Sequence, residues 1–417
     1  MSYQRLYHLG LALVIAVMIA FPNLFAPFFI LLVGIVVAGI VKKELRFRWN
    51  GPATIFIALY FCYGIGVLFS DYIDLGLKAL EYKLSLLLFP IVFSFVPKKK
   101  LRLELIGAGF LIGILVLYIQ GIFHSTLLYH DSKSMLAFMG ANFSYIHHPT
   151  YTAAFAVFGM EVLRYGWRKE WKWISWRTVI PTLLILMAIQ VQCTSLAGLL
   201  FFILYATFVF LQSIYQKLGR RYLIGALVLS PLLILAFIRF TPGVKEQLDV
   251  SILYINEYME DPKEFVKSKQ TYVGGNETRL IVWTGAYESI KDQPLGYGTG
   301  ALKPVLSKKL VELGQPNMAD KNYDPHNQYF STTLELGMQG LLMLLIALLI
   351  PLIVGLKRRS ALLVLLAVNL LFNSAFESML QRQSGIVFYM FWFCLLFMIT
   401  YGETLKTNKG ESVTLSE

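Results

Sequence analysis

Long apolar runs separated by short polar connections recur from one end of the chain to the other. They fall at about 6–21, 24–41, 52–70, 77–96, 103–123, 149–165, 178–192, 195–213, 222–240, 327–355, 360–376 and 385–401, most of them near the ~20 residues that a helix needs to cross a bilayer. The pattern predicts an all-α polytopic membrane protein with about twelve transmembrane helices. The fourth run is the weakest, because Lys78, Glu81 and Lys83 leave it a short apolar core. The first run is followed at once by the second, so it reads as a span and not as a cleaved signal peptide. The connection from Thr241 to Pro325 is by far the longest, and a polar stretch of that length is usually a small domain or a functional loop. The expected layout is an N-terminal membrane bundle over 1–240, a loop domain over 241–325, C-terminal spans over 326–402 and a polar tail over 403–417.

Composition agrees with the pattern. Hydrophobic residues make up 57% of the chain and charged residues 15%, whereas soluble domains carry roughly 25% charged residues. An ordinary soluble enzyme is excluded. Cys62, Cys193 and Cys394 sit singly in or beside apolar runs and read as small buried hydrophobes, not as metal ligands. The net charge of +12 acquires meaning once the basic residues are placed on a side of the membrane. With a cytoplasmic N-terminus, 22 of the 37 Lys and Arg residues fall inside, among them Lys98-Lys99-Lys100 and Lys357-Arg358-Arg359. Eleven of the others lie between Arg239 and Asp324 beside twelve acidic residues, leaving Lys78, Lys83, Lys133 and Arg382 in short outer connections. Both termini are therefore expected inside and the loop outside. The basic balance orients the chain among membrane lipids and implies no nucleic acid.

Three outer segments carry candidate chemistry. In the loop, residues 276–290 read as a helix, with Arg279, Trp283, Ala286 and Ile290 on one face. An arginine in such a stripe needs an anion or a carboxylate, either Glu277, a lipid headgroup or a ligand. The turn Pro294-Leu295-Gly296-Tyr297-Gly298-Thr299-Gly300 lacks the dinucleotide spacing, and reads as a helix-terminating turn before it reads as a phosphate cradle. At the mouth of the tenth run, Asp324-Pro325 resembles an N-cap followed by a first helical residue, which would put His326 in the first turn. The positive helix end would then keep its imidazole neutral near pH 7, as a proton acceptor requires, although taken alone a His that only caps the helix is the favoured reading. Outside-facing His147-His148 precedes the sixth run, and Glu377 and Arg382 lie between the last two, where they are either functional or a mutual ion pair.

In combination these pieces match a known pattern. Arg279 with Trp283 and Ala286, then Pro294-Leu295-Gly296-Tyr297-Gly298, then His326-Asn327 with Glu335-Leu336-Gly337-Met338-Gln339-Gly340, resembles the O-antigen ligase and O-antigen polymerase superfamily. Glu377 to Gly385 looks like its Bacteroidota branch, and the resemblance covers about 276–390. It implies a bacterial inner-membrane glycosyltransferase of GT-C type with one large helical periplasmic loop, without metal or cofactor. Such an enzyme takes a glycan from an undecaprenyl-pyrophosphate-linked donor, with inversion. A ligase passes it to a sugar hydroxyl of lipid A core, and a polymerase to a second lipid-linked glycan.

By motif match, Arg279 is the donor pyrophosphate contact and His326 the catalytic base. Many members also carry an arginine after a serine at the start of a mid-chain span, where this chain has Ser195-Leu196. Arg382 is the expected substitute, and His148, Tyr297, Gly298, Asn327, Tyr329 and Glu377 complete the candidate substrate-binding set. Tyr297, Tyr323 and Tyr329 are sugar-stacking surfaces or core packing. A lipid flippase or transporter would instead show midplane charges and interrupted helices in two related halves. A non-catalytic scaffold would tolerate loss of both Arg279 and His326.

Overall fold

A computed structural model of the chain describes residues 2–98, 101–222, 225, 227, 229, 231, 232, 239, 242–269 and 275–407. The ninth apolar run, 222–240, lies largely outside the described residues, as does most of the tail. Seven described helices are long and apolar enough to cross a membrane: Tyr3–Ala20, Pro22–Val41, Gly51–Leu68, Leu103–Ser132, Leu196–Leu218, Gln328–Lys357 and Gln383–Thr400. The shorter Trp176–Gln192 and Ala361–Ser374 are also apolar. The protein is an α-helical polytopic membrane protein. Side chains such as Ile30, Leu68, Phe208 and Leu342 are left uncovered on its outer surface, as a lipid surrounding allows.

The fourth apolar run departs from expectation. It forms two helices, Ile73–Lys83 and Ser85–Val92, with a break at Leu84. Lys83 turns inward and is buried at the break. The chain then enters a short strand, Phe95–Pro97, paired antiparallel with Leu45–Phe47. This two-stranded sheet joins two connections that the charge pattern assigns to the same side of the membrane. The fifth run is longer than its apolar stretch, extending over Leu103–Ser132 and ending at Lys133 in the left-handed region (φ 53°).

The last helix, Gln383–Thr407, is the centre of the bundle. Its residues from Ile386 to Met398 are buried on every side, which suits a helix with no polar face. Trp392 packs edge-on against Phe110 and Phe158 at 5.3 and 5.0 Å between ring centres. Tyr389 donates its hydroxyl to Asn369 at 2.8 Å, and Asn50 donates to the Cys394 carbonyl at 3.2 Å. The long loop has its own core. Helices Pro242–Glu260, Pro262–Ser268, Gly275–Asp292, Leu302–Glu312 and Pro316–Ala319 gather around Val266, Ile281, Val282, Leu306 and Leu310, and Leu334 from the tenth run joins them.

Loop and bundle are joined through a break in the Gln328–Lys357 helix. Gly337 there has φ 72° and ψ −170°, which interrupts the helical hydrogen bonding. The backbone of the glycine turn fills the gap. Tyr297 and Gly298 donate to the carbonyls of Leu334 and Glu335 at 2.9 and 2.8 Å, and Met338 donates to Pro294 at 3.0 Å. Gly296, Gly298 and Gly300 hold φ of 85°, 87° and 92°. A Cβ on Gly296 would strike the backbone at Gly337, and one on Gly337 would strike Leu295. The turn is therefore neither a plain helix end nor a phosphate cradle; it docks one backbone into another. Gly337→Ala is expected to impose about 1–3 kcal/mol of backbone strain and to lower the thermal midpoint of the purified protein, measured in detergent. An unchanged midpoint would contradict this role of the break.

Candidate active site

His326 lies just ahead of the Gln328–Lys357 helix, not in its first turn as the Asp324-Pro325 pattern implies. Asn327 is the cap: its side-chain oxygen accepts from the Tyr329 and Phe330 N–H groups at 2.9 and 3.1 Å, and its amide donates to the Ala375 carbonyl at 3.0 Å. Asp324 instead closes its own turn, accepting from the His326 N–H at 2.7 Å. That turn puts His326 at φ 45°, a left-handed conformation that a first helical turn excludes. Trp283, on the Gly275–Asp292 helix, donates its indole N–H to the Pro325 carbonyl at 2.7 Å and holds the turn from the loop side.

The His326 ring meets Glu377, whose side chain has no solvent exposure. Nδ1 lies 3.2 Å from both carboxylate oxygens. An ionised carboxylate only accepts hydrogen bonds, so Nδ1 carries the proton and the neutral ring keeps its lone pair on Nε2. His148, the N-cap of the Pro149–Arg168 helix, reaches the same carboxylate, with its Nδ1 at 3.2 Å from Oε2. The two imidazoles stand 6.1 Å apart at 30° between planes. Ser378 fixes the arrangement: its N–H donates to Glu377 at 3.1 Å, and its hydroxyl pairs with Ser331 at 3.0 Å and donates to Asp324 at 3.3 Å. Tyr151 donates to the Ser378 carbonyl at 2.9 Å.

The electrostatics follow from this sharing. Burial pushes the Glu377 pKa up, but the His326 hydrogen bond and the positive charges of His148, His326 and Arg382 bring it down to about 2. Burial pushes His326 down, yet the Glu377 hydrogen bond and the charges of Glu377 and Asp324 outweigh both burial and Arg279, so its pKa is raised above 6.5. This corrects the expectation that a helix end would keep the ring neutral, because contact with a carboxylate dominates. For His148 burial wins against Glu377, helped by Arg382, His326 and Arg279, and its pKa is lowered.

Arg279 is partly buried, within electrostatic reach of Glu377 and Asp324. Glu277 is taken by Lys269 at 3.5 Å, and among the described residues Arg279 makes no ion pair. Arg382 is exposed on the same connection as Glu377 and acts electrostatically on Glu377 and His148. Leu196 follows Ser195, whose hydroxyl pairs with Thr150 at 3.0 Å beside His148. The other candidates are committed to the frame. Tyr297 donates to the Ser289 carbonyl at 3.0 Å, Tyr329 to Leu371 at 2.8 Å, and Gly298 packs on Ser70. Tyr323 is packed against the loop core. Asp324, His326 and Glu377 bring three possible ligand atoms within 4.8 Å of one another, and each of the three already has the protein partners given above.

Residues 182–345 match a family model described as O-antigen ligase. That stretch is similar to the O-antigen ligase family. It contains Arg279, Trp283, the glycine turn, the Asp324–Asn327 turn and the break at Gly337, and it stops short of Glu377 and Arg382. No curated protein matches the chain. Glu377, from downstream of the matched stretch, contacts His326 within it and His148 from upstream. Sequence reasoning found both residues without finding their contact, and it missed the Trp283–Pro325 bond and the two-sided role of Ser378. The available signal was that the charge pattern assigns all these segments to one side of the membrane.

Glu377→Gln is expected to move the His326 titration to lower pH, because burial then acts against Asp324 alone. Imidazole resonances of selectively labelled protein check this, and an unmoved midpoint would separate His326 from Glu377.

Proposed function

We propose that the protein is an O-antigen ligase-type membrane glycosyltransferase of GT-C type. It moves a glycan from an undecaprenyl-pyrophosphate donor to a sugar hydroxyl of lipid A core at the periplasmic face of the inner membrane. The observation that carries this reading is the His326–Glu377 contact within electrostatic reach of Arg279, with His326 and Arg279 inside the stretch that matches the O-antigen ligase family model. Fold alone would not carry it.

The chemistry follows from the geometry. Nε2 of His326 takes the proton of the acceptor hydroxyl as its oxygen attacks the anomeric carbon. The bond from that carbon to the phosphate oxygen breaks, and undecaprenyl pyrophosphate leaves with the electron pair. Glu377 makes the ring a stronger base and stabilises the imidazolium as it forms, the role a buried carboxylate plays behind histidine elsewhere. Arg279 and Arg382 supply fixed positive charge to the departing pyrophosphate, by contacts of the kind arginine makes with phosphate oxygens. The N-termini of the helices that begin at Pro149, Leu196 and Gln328 lie around the same centre, through His148, Ser195 and Asn327, and add partial positive charge. One displacement inverts the anomeric centre. No step needs a metal.

The test is transfer in vitro from a lipid-linked glycan, with lipid A core or a second lipid-linked glycan as acceptor and chelator present. The wild-type protein should transfer to lipid A core unaffected by chelator. His326→Ala should lose at least about a hundredfold in rate, the low end for general base catalysis, and Arg279→Ala should lose activity with normal protein levels. Because His326 must be neutral to act, activity should fall on the acid side with a midpoint above 6.5, the ordinary histidine value. Transfer only to the second lipid-linked glycan would make the protein a polymerase. Retained activity in His326→Ala would overturn the assignment.

A further inference from the structure

A second polar cluster lies outside the residues placed in the chemistry. Lys83, at the break in the fourth apolar run, is 1% exposed. Its ammonium donates to Oε1 of Gln381 and stands 4.6 Å over the Tyr63 ring. The amide of the same Gln381 donates to Glu335 at 3.2 Å, and Glu335, itself 3% exposed, accepts from the Gly300 N–H at 2.9 Å. A buried cation thus sits on one end of a glutamine amide and a buried carboxylate on the other. This fixes which way the amide faces, since reversing it would set the amino group against the ammonium and the oxygen against the carboxylate.

The neighbours extend the same pinning. Leu380 donates its N–H to Gln328 at 2.6 Å, and Tyr63 pairs with Thr332 at 3.0 Å. Gln328, Ser331, Thr332 and Glu335 fall on one face of the tenth-run helix and are all buried. Thr299 donates to the Tyr63 and Gly66 carbonyls at 2.7 and 3.1 Å, tying the glycine turn to the same place. Ionisable groups inside a membrane protein are costly and mark function by default. The charges here bear on the connection whose next residue is Arg382.

We infer that the Lys83–Gln381–Glu335 relay is a positioning element, which locks the Glu377–Arg382 connection to the glycine turn and so sets Arg382 for the donor pyrophosphate. The inference rests on the donor role given to Arg382 under the proposed function. Lys83 touches no substrate; it acts through Gln381.

Two readouts on the full-length protein separate the relay from the donor role. Leu380 is buried beside Gln381, so Leu380→Cys in a Cys62→Ser background should resist a maleimide. Lys83→Met should raise the labelling rate about tenfold, the factor that about 1.4 kcal/mol of lost holding energy gives. Lys83→Met with Glu335→Gln removes both charges together. This pair should keep the thermal midpoint of the parent while labelling stays fast, so the effect is read on folded protein. Gln381→Leu, which removes the amide and no charge, should do the same. In transfer assays each variant should raise the donor KM about tenfold, with kcat within about threefold, and Arg382→Ala should add little further. Labelling as slow as in the parent for the double variant and for Gln381→Leu overturns the inference. Fast labelling with an unchanged donor KM keeps the relay and removes the donor role from Arg382.

Discussion

A carboxylate with no solvent exposure must be neutralised where it stands, and Glu377 stands between the last two apolar helices. Leaving such a charge uncompensated would cost several kcal/mol. Its partners come from distant parts of the chain: His148 from upstream of the sixth run, His326 from the turn before the tenth, and the Ser378 N–H from its own connection. Meeting the demand of one charge therefore brings three segments together on one side of the bundle. The same demand divides the two imidazoles, because one carboxylate favours a proton on one neighbour more than on both. His326 is the better placed, with both oxygens at 3.2 Å and Asp324 nearby.

Rigidity around this centre comes from two kinds of joint. One is backbone in backbone: the glycine turn fills the gap that Gly337 opens, so the loop domain grips the membrane helix largely through main-chain hydrogen bonds. The other is polar side chains at depth, where Gln328, Ser331, Thr332 and Glu335 face the connection that bears Glu377. Trp283 adds a third point of hold through the Pro325 carbonyl. An irregular backbone within an apolar helix is tolerated where protein buries its polar groups, and the broken helix here meets that condition.

The helices were legible where the sequence is regular. Seven of the apolar runs form described helices long and apolar enough to cross a membrane, and the face of Arg279 and Trp283 gave the loop helix, which forms over Gly275–Asp292. What failed was local competition. Asp324-Pro325 looks like a helix start, but Asn327 caps the helix because its oxygen reaches two N–H groups while Asp324 is spent on its own turn. The fourth run looked continuous because hydropathy does not register that one lysine will be drawn inward by a glutamine almost three hundred residues away. The site was legible as a set of residues on one face, and Arg279, His326 and Glu377 were all singled out. Their contacts were not legible, since nothing in His147-His148-Pro149 or Glu377-Ser378 specifies the other as its partner. Tyr297, Asn327 and Tyr329 illustrate the converse: polar groups in a suggestive motif whose hydrogen bonds hold the frame.

The account stands on the coupling of His326 to Glu377, and a double-mutant cycle on glycan transfer measures that coupling directly. Rates are compared for the parent, His326→Gln, Glu377→Gln and the pair, with donor and acceptor saturating. If Glu377 acts through His326, its substitution slows the parent but changes little once His326 is gone. Losses that multiply would show two independent residues and contradict the account.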